Sequence, residues 1–149
     1  MGFFDKIRGG RLFFGKKEPA LLVELDFYGK RYVLEEFDLE FKQDVDDRNR
    51  PSSDVYGGII TFTMSDTPDD RINGWALHSY EKRSGRFRFL KNEKPIGESS
   101  PLIITFEDAY CVDYQKIMIP QGAGTLTTLV ISSRILKIGN EEFANRWKD

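Results

Sequence analysis

The chain has 149 residues, of which 40% are hydrophobic and 31% charged, a composition typical of one globular domain with a sizeable core. Its net charge of −2 argues against a general attraction to nucleic acid, and no apolar run approaches the roughly 20 residues that span a bilayer. Charges at Asp5, Lys6 and Arg8 interrupt the start of the chain, so we expect no secretory signal peptide.

The first twenty residues form an extension that differs in composition from the rest. They hold five basic and two acidic residues, and Gly9-Gly10 would break a helix there. The aromatic residues that we expect to make contacts are Phe3, Phe4, Phe13 and Phe14. Residues 1–20 are too short to bury these rings alone, so we expect a docking tail, followed by a β-barrel domain in residues 21–149. The glycines interrupt a continuous amphipathic helix, which favours a protein surface over a membrane as the partner.

Alternation of apolar and polar residues predicts the first two strands. In residues 21–28 the apolar face consists of Leu21, Val23, Leu25 and Phe27, and Gly29-Lys30 has the composition of a hairpin turn. The apolar face of the second strand consists of Val33, Phe37, Leu39 and Phe41, opposite Glu36, Asp38, Glu40 and Lys42. Glu35 breaks this pattern, and either a β-bulge or a strand end explains it.

The most distinctive segment is the acidic, proline-containing loop over residues 43–54, which leads into a strand over residues 55–64. The loop is particular in sequence and poor in reactive groups, which indicates a surface that fits against another protein. Pro51 stiffens the loop and lowers the entropy cost of ordering it at an interface. The candidate interface residues here are Asp46, Arg50, Pro51, Ser52, Ser53 and Tyr56.

The segment Thr67-Pro68-Asp69-Asp70 predicts the start of a helix, with Thr67 as N-cap and Pro68 in the first helical position. The predicted buried face of this helix, about three turns long, consists of Ile72, Trp75, Ala76 and Tyr80. Further strand patterns cover residues 86–90, 102–106, 109–117 and 125–138. Roughly eight strands with one short α-helix indicate a mainly β fold, a β-barrel or sandwich.

The chain offers little for catalysis or for metal and cofactor binding. His78 is the only histidine and Cys111 the only cysteine, so a two-histidine metal site and an intrachain disulfide are impossible. The acidic run from Asp44 to Asp47 lacks the glycine and the terminal glutamate of a calcium loop. We therefore expect no catalytic residue, no metal and no cofactor.

Four stretches of the chain keep a common order and spacing. They are residues 44–58, Phe106–Tyr114, Ile131–Ser133, and Ile138–Asn140 with Asn145 and Trp147. Together these stretches resemble the Hcp (TssD) tube proteins of type VI secretion systems, in the form found in Bacteroidetes. The resemblance extends from about Leu21 to Trp147.

The resemblance implies a structural, non-enzymatic subunit that forms hexameric rings, which stack into the inner tube of the secretion machine. The implied partners are further copies of the chain, the sheath and spike proteins, and effector cargo in the lumen. The implied location is the cytoplasm, with assembly into the apparatus and export through it.

Two departures from the family pattern stand out. The chain has about twenty residues before Leu21, and the turn at Gly122-Ala123-Gly124-Thr125 lacks the Asn-Pro-Met sequence expected of relatives. These departures suggest a specialised paralogue, at the tube end or carrying cargo, as one form of the hypothesis. The alternative from another class is a monomeric β-barrel that binds a small ligand or a peptide, which predicts an apolar pocket.

Overall fold

The computed structural model describes residues 21–65, 67–91, 94–95, 102–119, 121 and 124–147. In chain order the elements are β1 (Leu21–Phe27), β2 (Lys30–Lys42), β3 (Tyr56–Met64), α1 (Asp70–Leu77), β4 (Lys82–Lys91), β5 (Lys94–Pro95), β6 (Ile103–Ile119), β7 (Gly124–Ile138) and β8 (Glu141–Ala144). The mainly β fold with one short helix confirms the prediction from the sequence.

Six of the strands close into a barrel. They pair antiparallel in the order β1-β2-β3-β7-β6-β4, and β4 pairs back with β1. The short strands β5 and β8 add to β4 and β7. The two strands predicted over residues 102–106 and 109–117 are one continuous strand, β6, and β8 was not predicted at all.

The turn between β1 and β2 lies one residue earlier than the sequence suggests. Phe27 pairs with Lys30, so the two turn residues are Tyr28 and Gly29, with φ of 52° and 81°. Positive φ at both central residues is the type I′ geometry, whose twist matches that of the flanking strands. Gly29 adopts this conformation without steric cost.

A β-bulge at Glu35 divides β2 into two halves. The pairing with β3 shifts register between Leu34 and Glu36, which confirms the bulge as the reason for the broken pattern. One extra residue exchanges the two faces of a strand, so Phe37 lies on the core side after the bulge, as Leu34 does before it. The prediction that Val33 shares the face of Phe37 is wrong, and Val33 is 40% exposed.

The helix begins later than the sequence suggests. Asp69, and not Thr67, is the N-cap, and its side chain accepts hydrogen bonds from the backbone amides of Arg71 and Ile72. Partial burial alone would raise the pKa of Asp69, but hydrogen bonds from Tyr32 and Lys30 outweigh it and lower the pKa below its ordinary value. The acidic cap is thus also a link between the helix and β2.

The helix buries two large side chains against the barrel. Ile72 and Trp75 are fully buried, as predicted, whereas Tyr80 lies beyond the helix and is 88% exposed, so its predicted burial is wrong. The Trp75 ring lies between Phe27 and Phe106, with ring centroids 5.0 Å and 5.9 Å away. Its indole nitrogen donates to the Ala109 carbonyl at 2.9 Å. Helix α1 therefore packs as a plug on the aromatic core.

Candidate assembly interface

Asp46 organises the loop between β2 and β3. Its Oδ1 accepts from the backbone amides of Arg48 at 2.8 Å and Arg50 at 3.0 Å, and its Oδ2 accepts from Arg50 Nε at 3.1 Å. The hydrogen bonds from the backbone amides of Arg50 and Arg48 lower the pKa of Asp46. The loop therefore folds around one carboxylate and holds Asn49 at its tip, with φ of 64°.

A second group of hydrogen bonds joins the two arms of the loop. Ser52 N donates to the Asp44 carbonyl at 2.7 Å, and Asp44 N donates to Ser53 Oγ at 2.8 Å. Val45 and Pro51 form an isolated β-bridge between these bonds. Pro51 thus lies in a paired, narrow hairpin, and the loop is ordered before any partner binds.

Tyr56 anchors the base of this loop. Its hydroxyl donates to Asp44 Oδ1 at 2.8 Å, and this hydrogen bond raises the pKa of Tyr56. The ring is nevertheless 44% exposed. A ring with one bonded polar end and an accessible apolar face is typical of residues at protein interfaces.

The structure brings the six predicted loop residues together. Asp46 and Ser53 face inward and hold the loop, whereas Arg50, Pro51, Ser52 and Tyr56 are exposed and available to a partner. The tail residues Phe3, Phe4, Phe13 and Phe14 lie outside the described residues. The interface role of each of these residues stays a prediction.

Two consecutive glycines set the angle at which the loop enters β3. Gly57 has φ of 110°, and a Cβ there would lie 3.0 Å from the Glu40 carbonyl oxygen. Gly58 has φ of 68°, and a Cβ there would lie 3.0 Å from side-chain atoms of Leu136 and Phe143. Both conformations are rare for residues with a side chain, so the sequence requires glycine at both positions.

Asn145 ties the base of the loop to the barrel, a contact that sequence reasoning missed. Its side-chain amide donates to the Ser133 carbonyl at 2.8 Å and the Gly57 carbonyl at 3.3 Å. Trp147 packs nearby on Tyr110, with ring centroids 5.2 Å apart. The distinctive segments of the sequence therefore meet around one end of β3 and β7.

One wall of the barrel has two strand edges that no described strand covers. The wall consists of β2, β3, β7 and β6 in that order. β1 pairs with β2 only as far as Leu34, and β4 pairs with β6 only as far as Tyr110. Within the described part of the chain, residues 36–42 and 111–119 therefore have no strand partner on their outer sides. The edges arise because β2, with 13 residues, and β6, with 17 residues, are longer than their outer neighbours β1, with 7 residues, and β4, with 10 residues.

The single histidine and the single cysteine of the chain lie on different elements, at the end of α1 and on β6. Cys111 is half-buried, burial raises the pKa of its thiol to about 11, and Sγ donates to the Asp113 carbonyl at 3.3 Å. A protonated thiol is a weak nucleophile. His78 is an exposed residue at the end of α1. Among the described residues, no cluster of His, Cys, Asp or Glu could hold a metal ion, and no helix has the length and apolarity to cross a membrane.

Comparison with solved structures identifies the class of barrel. Hcp1 from Flavobacterium johnsoniae is 26% identical and superimposes with a TM-score of 0.72, covering 83% of this chain and 99% of that chain. An Hcp protein that is 14% identical covers 87% of this chain and 100% of its own, with a TM-score of 0.61. Hcp1 from the E. coli EAEC 042 pathovar is 10% identical and covers 88% and 100%, also with a TM-score of 0.61. The last two likenesses show the fold alone.

The family follows from the sequence match. The family model for Hemolysin coregulated protein Hcp (TssD) matches residues 20–148. The chain therefore belongs to the Hcp (TssD) family, the structural tube proteins of type VI secretion systems, and its Flavobacterium relative supports the Bacteroidetes form. No curated protein sequence matches the chain.

Proposed function

We propose that this protein forms hexameric rings that stack into the inner tube of a type VI secretion system. The observation that carries the proposal is the pair of free strand edges on opposite sides of the four-stranded wall. Unpaired backbone N–H and C=O groups along an edge are a template for pairing with another chain. Residues 36–42 of one protomer would pair with residues 111–119 of the next.

The strand directions favour this junction. Neighbouring strands in the wall run antiparallel throughout, so β2 and β6 at its two sides run in opposite directions. When a second protomer is related by rotation about an axis along the strands, its β2 lies beside β6 of the first and runs opposite to it. The junction is then antiparallel like every other pair in the wall, and the sheet continues around the ring without interruption.

The two edges differ, so the contact is heterologous and propagates from protomer to protomer. A heterologous contact closes into a ring when the rotation between neighbours divides the circle. Strands β1 and β4 and helix α1 add bulk on the core-facing side of the wall. In a ring there is more room at the outer circumference than at the inner one, so these elements would lie on the outside of the ring. The face of the wall that points away from the core would then line the channel.

The loop over residues 43–54 would supply contacts between stacked rings. Its conformation is fixed by Asp46 and by the paired arms around Pro51, while Arg50 and Ser52 remain exposed. An ordered loop loses little conformational entropy when it docks, which favours a repeated contact along a tube. Six such loops on one ring would form a collar for the next ring.

Membership of the Hcp (TssD) family supports a role of the proposed ring within a larger machine. We propose that the sheath and spike proteins and the effector cargo are the other partners, that the subunit has no enzymatic activity, and that it assembles in the cytoplasm before export through the apparatus. The long N-terminal extension favours a specialised paralogue, at the tube end or carrying cargo, as one form of this role.

Proline substitution along β6 tests the ring junction. Successive residues of an antiparallel strand direct their N–H groups alternately toward the paired strand and away from it. Of the variants Lys116→Pro and Ile117→Pro, one should break a hydrogen bond to β7 and destabilise the barrel, and the other should remove only an N–H at the free edge. The variant that loses only the N–H at the free edge should fold but stay monomeric.

The readouts are thermal unfolding, light scattering after size exclusion, and electron microscopy. Rings formed by the variant that keeps its stability would contradict the proposed junction. A wild-type protein that stays monomeric at high concentration, alone and with its spike partner, would contradict the ring itself and favour a monomeric binding module.

A further inference from the structure

The outward face of the four-stranded wall carries a column of acidic side chains along β2. Glu36, Asp38 and Glu40 alternate with core-facing residues and are all exposed. Lys42 contacts Glu40 at 3.7 Å, whereas the carboxylates of Glu36 and Asp38 have no ion pair within the described part of the chain. The outward face is therefore negative along one side.

Beside this column, the outward face of the wall consists of half-buried side chains with apolar groups. Asp38 is paired with Thr61, and Thr61 is paired with Val130 on the next strand, so the three side chains share the outward face. Ile59 lies on the same face, two residues from Thr61 along β3. Thr61, Val130 and Ile59 are half-buried. The face thus joins an acidic margin to an accessible apolar strip.

The N-terminal segment enters the barrel beside the acidic column. Val23 and Leu34 form the last pair between β1 and β2, and Leu21, the first residue of β1, lies two residues beyond this pair on the side of Glu36. Glu36 and Glu40 are about 13 Å apart at the rise of a strand. The four to five residues from Leu21 back to Lys17 and Lys16 span up to about 17 Å when extended, so both lysines can reach the whole column.

The composition of this segment complements the face in two ways. Its basic residues are Lys6, Arg8, Arg11, Lys16 and Lys17, against Asp5 and Glu18, which gives a net charge of +3 opposite the acidic column. Its apolar run Leu12-Phe13-Phe14 lies between Arg11 and Lys16 and matches the strip formed by Thr61, Val130 and Ile59. Charge attraction and apolar burial thus favour the same placement.

We propose that residues 1–20 dock across the outward face of the wall of their own protomer, with Lys16 and Lys17 on the Glu36–Glu40 column and Leu12–Phe14 over the strip around Thr61. The inference is independent of ring formation, because every element of it lies within one protomer. In a ring of the proposed kind the docked segments would line the channel and would compete with cargo for its wall.

Disulfide trapping in the full-length chain tests this placement. In a Cys111→Ser background, Gly15→Cys is combined with Thr61→Cys, or with Glu142→Cys as a matched control on the exposed strand β8. Mild oxidation should cross-link the first pair much faster than the control pair and give an intramolecular product, because the tail rests on the outward face. Equal rates for the two pairs would overturn the proposal. A product that migrates as a dimer would overturn it in favour of docking on a neighbour.

Charge neutralisation tests the recognition itself. The triple variant Glu36→Gln, Asp38→Asn and Glu40→Gln should slow the Gly15–Thr61 cross-link and speed cleavage by trypsin after Lys16 and Lys17. The control variant Glu141→Gln with Glu142→Gln removes exposed charge elsewhere and should change neither rate. High salt should act like the triple variant, since it screens exposed charges. Rates that are insensitive to both the triple variant and salt would overturn the charge-based recognition.

Discussion

The two sides of the barrel differ in how completely their strand edges are paired. On one side β1 pairs with both β2 and β4, and β4 also pairs with the first half of β6. Ion pairs join β1 and β4, between Arg86 and Asp26 at 3.1 Å and between Arg88 and Glu24 at 3.6 Å. The four-stranded wall instead keeps free edges at residues 36–42 and 111–119 and an acidic outward face. The first side thus makes most of its pairings within the chain, whereas the wall has two edges that another chain could pair with.

From this contrast we expect the core to determine stability and the wall to determine the proposed assembly. The buried aromatic residues around Trp75 hold the barrel together, whereas the groups that remain unsatisfied cost little while water solvates them. Variants of the core should therefore change the free energy of unfolding, and variants of the wall and its loop should change the oligomeric state.

The largest loss of stability is expected from Trp75→Ala. Trp75 is 1% exposed, stacks between two aromatic rings and donates a hydrogen bond to the Ala109 carbonyl, so truncation should lower the free energy of unfolding by about 3–5 kcal/mol. Urea unfolding followed by circular dichroism measures this. The control Leu77→Ala, at a side chain that is 75% exposed on the same helix, should stay within about 0.5 kcal/mol. Similar losses of unfolding free energy for both variants would contradict the stabilising role assigned to Trp75.

Replacement of residues 46–53 by a Gly/Ser segment should impair assembly and leave stability nearly unchanged. The loop bonds mainly within itself, so the free energy of unfolding should change by less than about 1 kcal/mol, while tube formation should fail because the ordered collar is lost. Electron microscopy of the tubes and thermal unfolding are the two measurements. The control combines Asn140→Gly, in the turn between β7 and β8, with Glu142→Ser at an exposed position of β8. Tubes of normal length from the loop variant would contradict its stacking role.

The smallest effect is expected from His78→Gln combined with Cys111→Ser. His78 lies outside the wall, at the end of α1. Cys111 begins the free edge of β6, but burial raises the pKa of its thiol to about 11, so the thiol stays protonated at neutral pH. We expect near-normal assembly and secretion, with a packing loss of about 1 kcal/mol at Cys111. A folded double variant without function would reopen a catalytic role.

Sequence patterns predicted the elements whose structure is local. Alternation located β1, and runs rich in β-forming residues located β3 and β7, each to within a residue. The spacing of Ile72 and Trp75 found the buried face of the helix. The predictions were wrong where two neighbouring residues could fill the same structural role, as at the N-cap of the helix. Asp69 displaced Thr67 as N-cap because it also bonds Tyr32 on β2, a partner that is distant in sequence.

Only part of the proposed interface could be predicted from the sequence. The unusual composition of residues 43–54 and the family resemblance pointed to the loop, and Asp46 indeed organises it. The free edges depend on where β1 and β4 stop pairing, which is a relation between strands and leaves no pattern within β2 or β6. The contact of Asn145 with Gly57 joins residues 88 positions apart for the same reason.

The bulge at Glu35 has a consequence for the direction of polymerisation. By exchanging the faces of β2, it places Glu36, Asp38 and Glu40 in one row along the exposed edge. If two protomers met through their β2 edges in a twofold dimer, these rows would face each other, and like charges opposite one another destabilise a strand pair. Such a dimer would bury the edge and remove subunits from growth. The bulge, a single extra residue, thereby disfavours the twofold dimer relative to the proposed head-to-tail junction.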